Sequence, residues 1–544
     1  MRHAPELVEV DSTRLEEVLR RVEGSLDEKD AALVRAVFES YAYVSDLVED
    51  KNTSIQRLRQ LFFGSRTEKT DAVVGRKTKK PKTGLTAADG NTDESDASAS
   101  QGHGRNGAEA YRGAARIEVP HPSLTAGDAC PACGEGTVYE KAPGVLVRIT
   151  GQPPLAAKIY QLQKLRCHLC GEIFTAAAPE EAGDAKYDAT AGSMIGLLKY
   201  GSGLPFNRLD GLQGNLDVPL PASTQWDIVQ AVAVNIKPAF DELIRQAAQG
   251  DVLHNDDTTV KILELMGQRD RPEARSDVTA DADVAESRRG LYTSGVVALR
   301  DGYHVALFFS GRRHAGENLA QVLKHRAEAL PPPIQMCDAL SRNLPGELRT
   351  ILAHCLAHAR RRFVDVYDRF PEPCRHLLEA LAVVYRNDAV ARERRLSPEA
   401  RLQFHQEASQ PTMQALHAWL TRQPDEKLTE PNSALGGAIG YMLKHWDRLT
   451  LFLRQAGAPL DNNVCERALK KAILHRKNAL FYKTQNGAGV GDLFMSLIYT
   501  CQLNQVNPFD YLTQLQRHAD ALAASPERWM PWNYRAALPG TSRC

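Results

Sequence analysis

Asp461-Asn462-Asn463-Val464-Cys465-Glu466-Arg467 sets a carboxylate, Glu466, just inside an expected helix and follows it with cations. From Arg467 to Val490 there are six Lys/Arg residues (Arg467, Lys470, Lys471, Arg476, Lys477, Lys483) and no acid. An acid beside a cationic helix suits a metal ligand facing a phosphate backbone, provided partner acids exist upstream. Asp256, Asp257 and Asp338 are the candidates. Hard divalent cations such as Mg²⁺ take oxygen ligands and keep several waters. Two such ions, roughly 4 Å apart, can activate an attacking oxygen and stabilise the leaving oxygen of a phosphodiester.

These acids need elements to carry them. Residues 251 to 340 read as three strands, a helix and a fourth strand, with a charged loop from Gln268 to Arg289. Strand one spans Val252 to Leu265 and carries Asp256-Asp257; strand two spans Leu291 to Leu299. Asp301-Gly302 makes a hairpin turn into strand three, Tyr303 to Phe309. A helix from about Gly316 to Ala329 precedes strand four, Ile334 to Asp338, and Ile351 to Cys355 offers a fifth strand. Adjacent strand residues face opposite ways, so one of Asp256 and Asp257 points into the site, and the pattern alone leaves the choice open. This order is that of a ribonuclease-H-like mixed-sheet core. The stretch from Asp338 to Glu466 is too long for the bare core, and residues about 364–445 read as a helical insertion.

A second chemistry lies upstream. Cys130-Pro131-Ala132-Cys133 and Cys167-His168-Leu169-Cys170 are each followed by Gly (Gly134, Gly171), which permits the tight turn that aims two thiolates at one ion. Four thiolates close a tetrahedral Zn²⁺ site with no open position, so the expectation is one structural zinc. Val145 to Ile149 and Lys158 to Leu162 between them read as strands.

The remaining segments are read from their patterns. Val34, Val37, Tyr41, Val44, Val48, Lys51, Ile55, Leu58 and Phe62 follow the seam of a coiled coil, for self-association or for packing on the same chain. Residues 70–115 have the composition of a disordered basic linker, whose run Arg76 to Lys82 serves either as a solvated tether or as a phosphate contact. Residues 184–248 contain two short helices with a turn, Leu204 to Leu209 and the stretch after Pro219-Leu220-Pro221, with Ser223 or Thr224 near an N-cap. They read as a helix-turn-helix-like DNA-binding domain or as a plain helical subdomain. Arg360, Arg361 and Arg362 offer phosphate contacts, although one helix face holds only part of the triplet, and Cys355 with His358 forms C-x-x-H, two ligands short of a zinc site.

Length and composition bound these readings. With 544 residues the chain is multidomain, and 67 Lys+Arg against 67 Asp+Glu leaves no net charge, so any attraction to nucleic acid is local. No apolar run approaches the roughly 18 residues of a membrane span, and the N-terminus lacks an apolar signal core, which together predict no membrane partner and a cytoplasmic protein. Ten cysteines with two C-x-x-C pairs fit metal binding in a reducing compartment.

Taken together, these residues resemble the bacterial insertion-sequence transposases of the sixty-six type, which are DDE transposases. Leu61 to Lys69 is similar to the segment ending that family's N-terminal helix, and the double knuckle follows in the expected place. His254-Asn255-Asp256-Asp257-Thr258 is similar to the first catalytic motif, Cys337-Asp338 to the second, and Asp461-Asn462-Asn463-x-x-Glu466-Arg467 to the third. Cys355 to Arg361, His475-Arg476-Lys477-Asn478 and Pro508 to Leu512 match further motifs. The resemblance assigns the first acid to Asp256. Asp257 stands where Glu is commoner, Thr259 where Pro is, Ala339-Leu340 where Gly-Tyr is, and His475 where Gly is; none of these removes a carboxylate.

What the resemblance implies is a DNA transposase in which Asp256, Asp338 and Glu466 hold two Mg²⁺ (or Mn²⁺) ions, cleave element ends and join them to target DNA. Arg360, Arg361, Arg467, Lys470, Lys471, Arg476 and Lys477 are the expected DNA contacts. The expected partners are double-stranded DNA at element ends and target, a second copy of the chain in a dimer or larger assembly, and accessory proteins of the same element. The organisation so read is 1–69 coiled coil, 70–115 linker, 116–180 zinc module, 184–248 helix-turn-helix-like domain, 250–500 catalytic domain and 501–544 helical tail. The competing reading is a catalytically silent DNA-binding regulator that keeps the fold.

Overall fold

The computed structural model describes residues 152–166, 168, 173–267 and 290–538, together with 21, 70, 116, 118–129, 131 and 137–139. The coiled-coil seam, nearly all of the linker, the strand expected at Val145 to Ile149 and the four knuckle cysteines lie outside the described residues. Lys158 to Leu162 forms no strand; pairing begins at β1 (Lys164–Arg166), antiparallel to β2 (Ile173–Thr175).

The order then runs α1 (Ala189–Gly196), α2 (Phe206–Asn215), α3 (Ala222–Ala248), β3 (Val252–Thr259), β4 (Tyr292–Arg300), β5 (Tyr303–Gly311), α4 (Ala315–Leu323), β6 (Ile334–Cys337) and β7 (Ile351–His354). Next come α5 (Leu356–Val366), α6 (Pro371–Glu393), α7 (Pro398–Ala408), α8 (Gln410–Asp425), α9 (Ala434–Lys444), α10 (Asn463–Ala479), α11 (Gln485–Leu503) and α12 (Pro508–Arg517). The fold is mixed α/β. The chain divides into two compact units, of which the smaller includes 358–395 and 406–444 and the larger includes 80–357 and 445–544.

In the larger unit the five-stranded sheet has the order β5-β4-β3-β6-β7. β3 pairs antiparallel with β4 and parallel with β6; β4–β5 is antiparallel and β6–β7 parallel. Asp301 and Gly302 turn the β4–β5 hairpin at φ 49° and 81°, the left-handed conformation a tight two-residue turn requires. β3 stops at Thr259, short of the expected Leu265, because Ile262 leaves the β4 ladder to bridge Tyr482 and Leu263–Gly267 turns helical. α4 ends at Leu323, since backbone turns at His325 and Arg326 close the helix and Arg326 folds back on Pro331 O.

β5 lies at the edge of the sheet, and α11 closes that edge with side chains. Asp492, Ser496, Thr500 and Asn504 recur every fourth residue, which lines one face of a helix. They accept the backbone N–H groups of Ser310, Phe308, Ala306 and His304 at 2.6, 2.9, 3.0 and 3.1 Å. Each exposed donor of the strand thus meets an oxygen on the helix, where an open edge would invite pairing with another chain.

α3 buries Val229, Val232, Ile236, Ala239 and Leu243 at helical spacing. These join the same hydrophobic core as Val296, Val297, Leu307 and Phe308 of the sheet and Leu493, Phe494 and Leu497 of α11. The N-cap of α3 is Pro221, not Ser223 or Thr224; its fixed backbone sets the helix start with no side-chain bond. α12 packs on α1 through Thr513, whose hydroxyl donates to Ser193 Oγ at 2.9 Å. In the smaller unit Cys374, Leu377, Leu378 and Leu381 of α6, Met413, Leu416 and Leu420 of α8, and Leu435, Ile439 and Met442 of α9 are buried. No described helix is long and apolar enough to cross a membrane.

Candidate functional site

The run His254-Asn255-Asp256 on β3 organises the site. In register with Asp256, across the ladder on β4, stands Gly295. A Cβ there would lie 3.1 Å from Leu469 Cδ2 and 3.4 Å from Cys465 Sγ, both on α10. The missing side chain therefore lets α10 sit directly on the sheet beside the first acid, and Cys465 Sγ donates to Gly295 O at 3.3 Å.

Asn462 fixes where α10 starts. It is fully buried; its Oδ1 lies 3.0 Å from His254 Nδ1 and its Nδ2 donates to Asn255 O at 3.1 Å. Its backbone N–H points to Cys355 Sγ at 3.2 Å, and its carbonyl accepts the N–H of Glu466 at 3.1 Å. Glu466 is thus set one turn from a residue bonded to β3. Burial lowers the His254 pKa to about 4, so at neutral pH this imidazole carries a single proton and no charge. Asn463 turns back on Asp461, donating from Nδ2 to Oδ2 at 2.7 Å.

Asp338 follows directly after β6, which runs parallel to β3. Its Oδ1 accepts the Leu340 N–H at 3.1 Å and the side-chain amide of Asn343. Beneath it lies a buried amide network. Gln335 Nε2 donates to Asn255 Oδ1 at 2.9 Å and to Asn343 O at 2.7 Å, while Asn255 Nδ2 donates to Asn343 O at 2.8 Å.

Asp338 and Glu466 lie near enough to Asp256 for their charges to act on it. Burial is the main reason the Asp256 carboxyl is pushed up to about 7; the Asp257 N–H opposes it, and the nearby charges of Asp338, Asp257 and Glu466 raise it further. Asp257 has a different environment. Its side chain is 2% exposed, with Oδ2 at 2.9 Å from His314 Nδ1 and Oδ1 at 3.4 Å from Arg342 Nη2. The His314 ring in turn packs against Tyr292, with centroids 4.2 Å apart. Of the two adjacent acids, Asp257 is held by local partners, whereas the Asp256 side chain accepts only the neighbouring Asp257 N–H among the described residues.

A donor set of carboxylate oxygens suits a hard divalent cation, and a cation would offset the charge that now burdens Asp256. The expected phosphate contacts divide into groups. Arg467, Lys470 and Lys477 of α10 are exposed. Lys471 is half-buried, its Nζ 5.7 Å from the Tyr499 ring centroid. Arg476 is engaged with the end of β3, donating from Nη1 to Thr259 Oγ1 at 2.7 Å and to Thr258 Oγ1 at 3.2 Å. Arg360 and Arg361 lie on α5 in the smaller unit, where Arg360 Nη2 reaches Thr70 Oγ1 at 3.2 Å.

Gln335, Asn343, Gly295, His314 and Arg342 escaped the sequence reading. Only Asn255 and Asn462, flanking acids on an expected strand and helix, carried a positional signal.

The sequence model of the Transposase IS66 family matches residues 186–489, more than half of the chain and a span that holds all three acids. Two proteins of Sinorhizobium fredii (strain NBRC 101917 / NGR234) are similar along most of their length. Uncharacterized protein y4hP is 29% identical over 444 residues, covering 76% of this chain and 74% of its own. Uncharacterized protein y4jD is 27% identical over 537 residues, covering 91% of this chain and 97% of its own.

Proposed function

Because the chain belongs to the IS66 transposase family, we propose that it cleaves the ends of a DNA element and joins them to target DNA, using Asp256, Asp338 and Glu466 as its reactive centre. The observation that carries this reading is Asp256, buried on β3 and raised chiefly by that burial, with Asp338 at the end of β6 and Glu466 of α10 near enough to raise it further. The strand order β5-β4-β3-β6-β7, with three antiparallel-linked strands followed by two parallel ones, supports a ribonuclease-H-like core. The three carboxylates would hold two Mg²⁺ or Mn²⁺ ions. When bound, these ions supply Lewis acidity for in-line displacement at phosphorus, first by water and then by the freed 3′ hydroxyl.

The chain's own residues do the positioning. Asn462 sets the height of Glu466 on the sheet, and Gly295 sets how closely α10 approaches Asp256. Arg467, Lys470 and Lys477 offer exposed charge to phosphates beside the acids, giving salt-dependent affinity that does not read sequence. Lys471 adds to this patch, and Arg476 reaches it through its hold on Thr258 and Thr259. Arg360 and Arg361 are assigned to DNA contact on the family resemblance.

Upstream, Cys130, Cys133, Cys167 and Cys170 would hold one structural Zn²⁺. The described residues that flank each knuckle pair in antiparallel fashion, Ala129 with Thr137 and Arg166 with Ile173, which suits two thiolate turns closed by short ladders. Recognition of element ends by the zinc module and by 184–248, dimerisation through the N-terminal seam, help from accessory proteins and a cytoplasmic site of action complete the proposal. The test is alanine at Asp256 or at Glu466. Each variant is expected to lose Mg²⁺-dependent cleavage of element-end DNA while still binding it; unchanged cleavage in both overturns the reading.

A further inference from the structure

We propose that Asn343 is a positioning residue for the Asp338 carboxylate, fixing one oxygen so that the other is presented to a divalent cation. The inference rests on the carboxylate-site reading above. Asn343 is fully buried, and its side-chain amide makes one bond among the described residues, from Nδ2 to Asp338 Oδ1. Its Oδ1 is buried with no hydrogen-bond partner there. A buried amide oxygen left unbonded is costly, on the order of 1–3 kcal/mol, so packing alone gives no reason to keep an amide at this position. The bond to Asp338 does.

The backbone of Asn343 is held independently of its side chain. Asn255 Nδ2 and Gln335 Nε2 both donate to Asn343 O, at 2.8 and 2.7 Å. Thr350 Oγ1 donates to Gln335 Oε1 at 2.9 Å and so orients the Gln335 amide. On the other side of the loop, Arg342 Nη2 stands 3.4 Å from Asp257 Oδ1. Gly316 of α4 abuts the loop so closely that a Cβ would come within 2.1 Å of Leu344 O. The segment after Asp338 is therefore fastened to β3, β6 and α4, and Asn343 transmits that rigidity to the carboxylate. The Leu340 N–H and the Asn343 amide both occupy Oδ1, leaving Oδ2 as the ligand oxygen. Partners of this kind, which hold a ligand by its other atom, typically change metal affinity about 10–100-fold when removed.

Asn343→Ala removes the Nδ2 donor and leaves both backbone anchors intact. The experiment titrates Mn²⁺ into the DNA-free full-length parent, N343A and D338A, following free Mn²⁺ by electron paramagnetic resonance, with thermal melting in EDTA as the fold control. N343A is expected to bind Mn²⁺ about 10–100-fold more weakly than the parent, with an unaltered melt in EDTA and unaltered metal-free DNA binding. Parent-like Mn²⁺ affinity in N343A, with D338A weakened, overturns the role of Asn343 while sparing the site. A parent that binds no better than D338A overturns the carboxylate-site reading and this inference with it. If N343A does not fold, Asn343→Ser, which keeps a hydroxyl in the buried position, carries the same expectation and the same refutation.

Discussion

Replacing Asn462 by alanine tests how the third acid is held. The substitution deletes two contacts between buried groups, Oδ1 with His254 Nδ1 at 3.0 Å and Nδ2 with Asn255 O at 3.1 Å. The alanine keeps the backbone bonds from Asn462 N–H to Cys355 and from Glu466 N–H to the Asn462 carbonyl. Stranding each buried polar group costs about 1–3 kcal/mol, and local relaxation returns part of it, so a net loss of about 2–4 kcal/mol is expected at the start of α10. The assay is amide hydrogen exchange of peptides covering 462–479. At about 1.4 kcal/mol per tenfold, opening there should become roughly 30- to 1,000-fold more frequent, while peptides of α6 and α8 in the smaller unit keep their protection. Asn462→Asp restores the acceptor for His254 but not the donor to Asn255 O, and it buries a charge, so it should not rescue. If Asn462→Ala changes exchange across α10 by less than about threefold, the two side-chain bonds do not hold the helix and the reasoning fails.

Three further outcomes are expected. Gly295→Val forces branched carbon into space where even a Cβ lies 3.1 Å from Leu469; overpacking of this kind costs about 1–3 kcal/mol, and calorimetric melting should fall accordingly. An undiminished melting temperature would show that α10 can step away from the sheet at no cost. Burial pushes Asp492 up to about 7 from 3.8, so the folded state holds this proton more tightly than the unfolded chain does. Its contribution is fully present below about pH 4 and is lost as pH rises toward 7, and urea titrations should show Asp492→Asn flattening the pH dependence in that window. A parent-like slope in the variant would remove Asp492 as its source. Converting Arg467, Lys470 and Lys477 to glutamine should lower the slope of log affinity against log salt by up to about 2–3, as fewer counterions are released. An unchanged slope in filter-binding measurements would place the DNA elsewhere.

The elements that carry the candidate acids were legible because strands and helices repeat. The strand pattern from Val252 to Asp338 and the Asp301-Gly302 turn gave the strands of the sheet and the hairpin, on which Asp256 and Asp338 stand as candidates. The strand pattern left the choice between Asp256 and Asp257 open and only the resemblance made it, since both lie on one strand; Asp257 meets His314 at the start of α4 and Arg342 in the loop after β6. Strand one was read too long because Val260 to Leu265 is as apolar as a strand, while its actual course is set by Tyr482, more than two hundred residues away. The amides of Asn255, Gln335 and Asn343 carry no periodic signature. Their meaning comes from meeting across β3, β6 and the following loop, contacts that no local window contains. Gly295 carries no sequence signal either, and is a contact surface for α10.

The edge of the sheet along β5 has a further consequence. In an ordinary ladder both partners are backbone, so no substitution other than proline removes a bond. Here one side of the ladder is encoded in side chains, Asp492, Ser496, Thr500 and Asn504, each accepting one strand N–H. The strand's pairing is therefore addressable one rung at a time. Alanine at Ser496 deletes the bond to Phe308 while leaving those to Ala306 and Ser310 in place, and two such deletions on neighbouring turns form a double-mutant cycle that reads the coupling between successive backbone bonds. A β-sheet is rarely open to such a measurement, and this one allows it because a helix stands in for the missing strand.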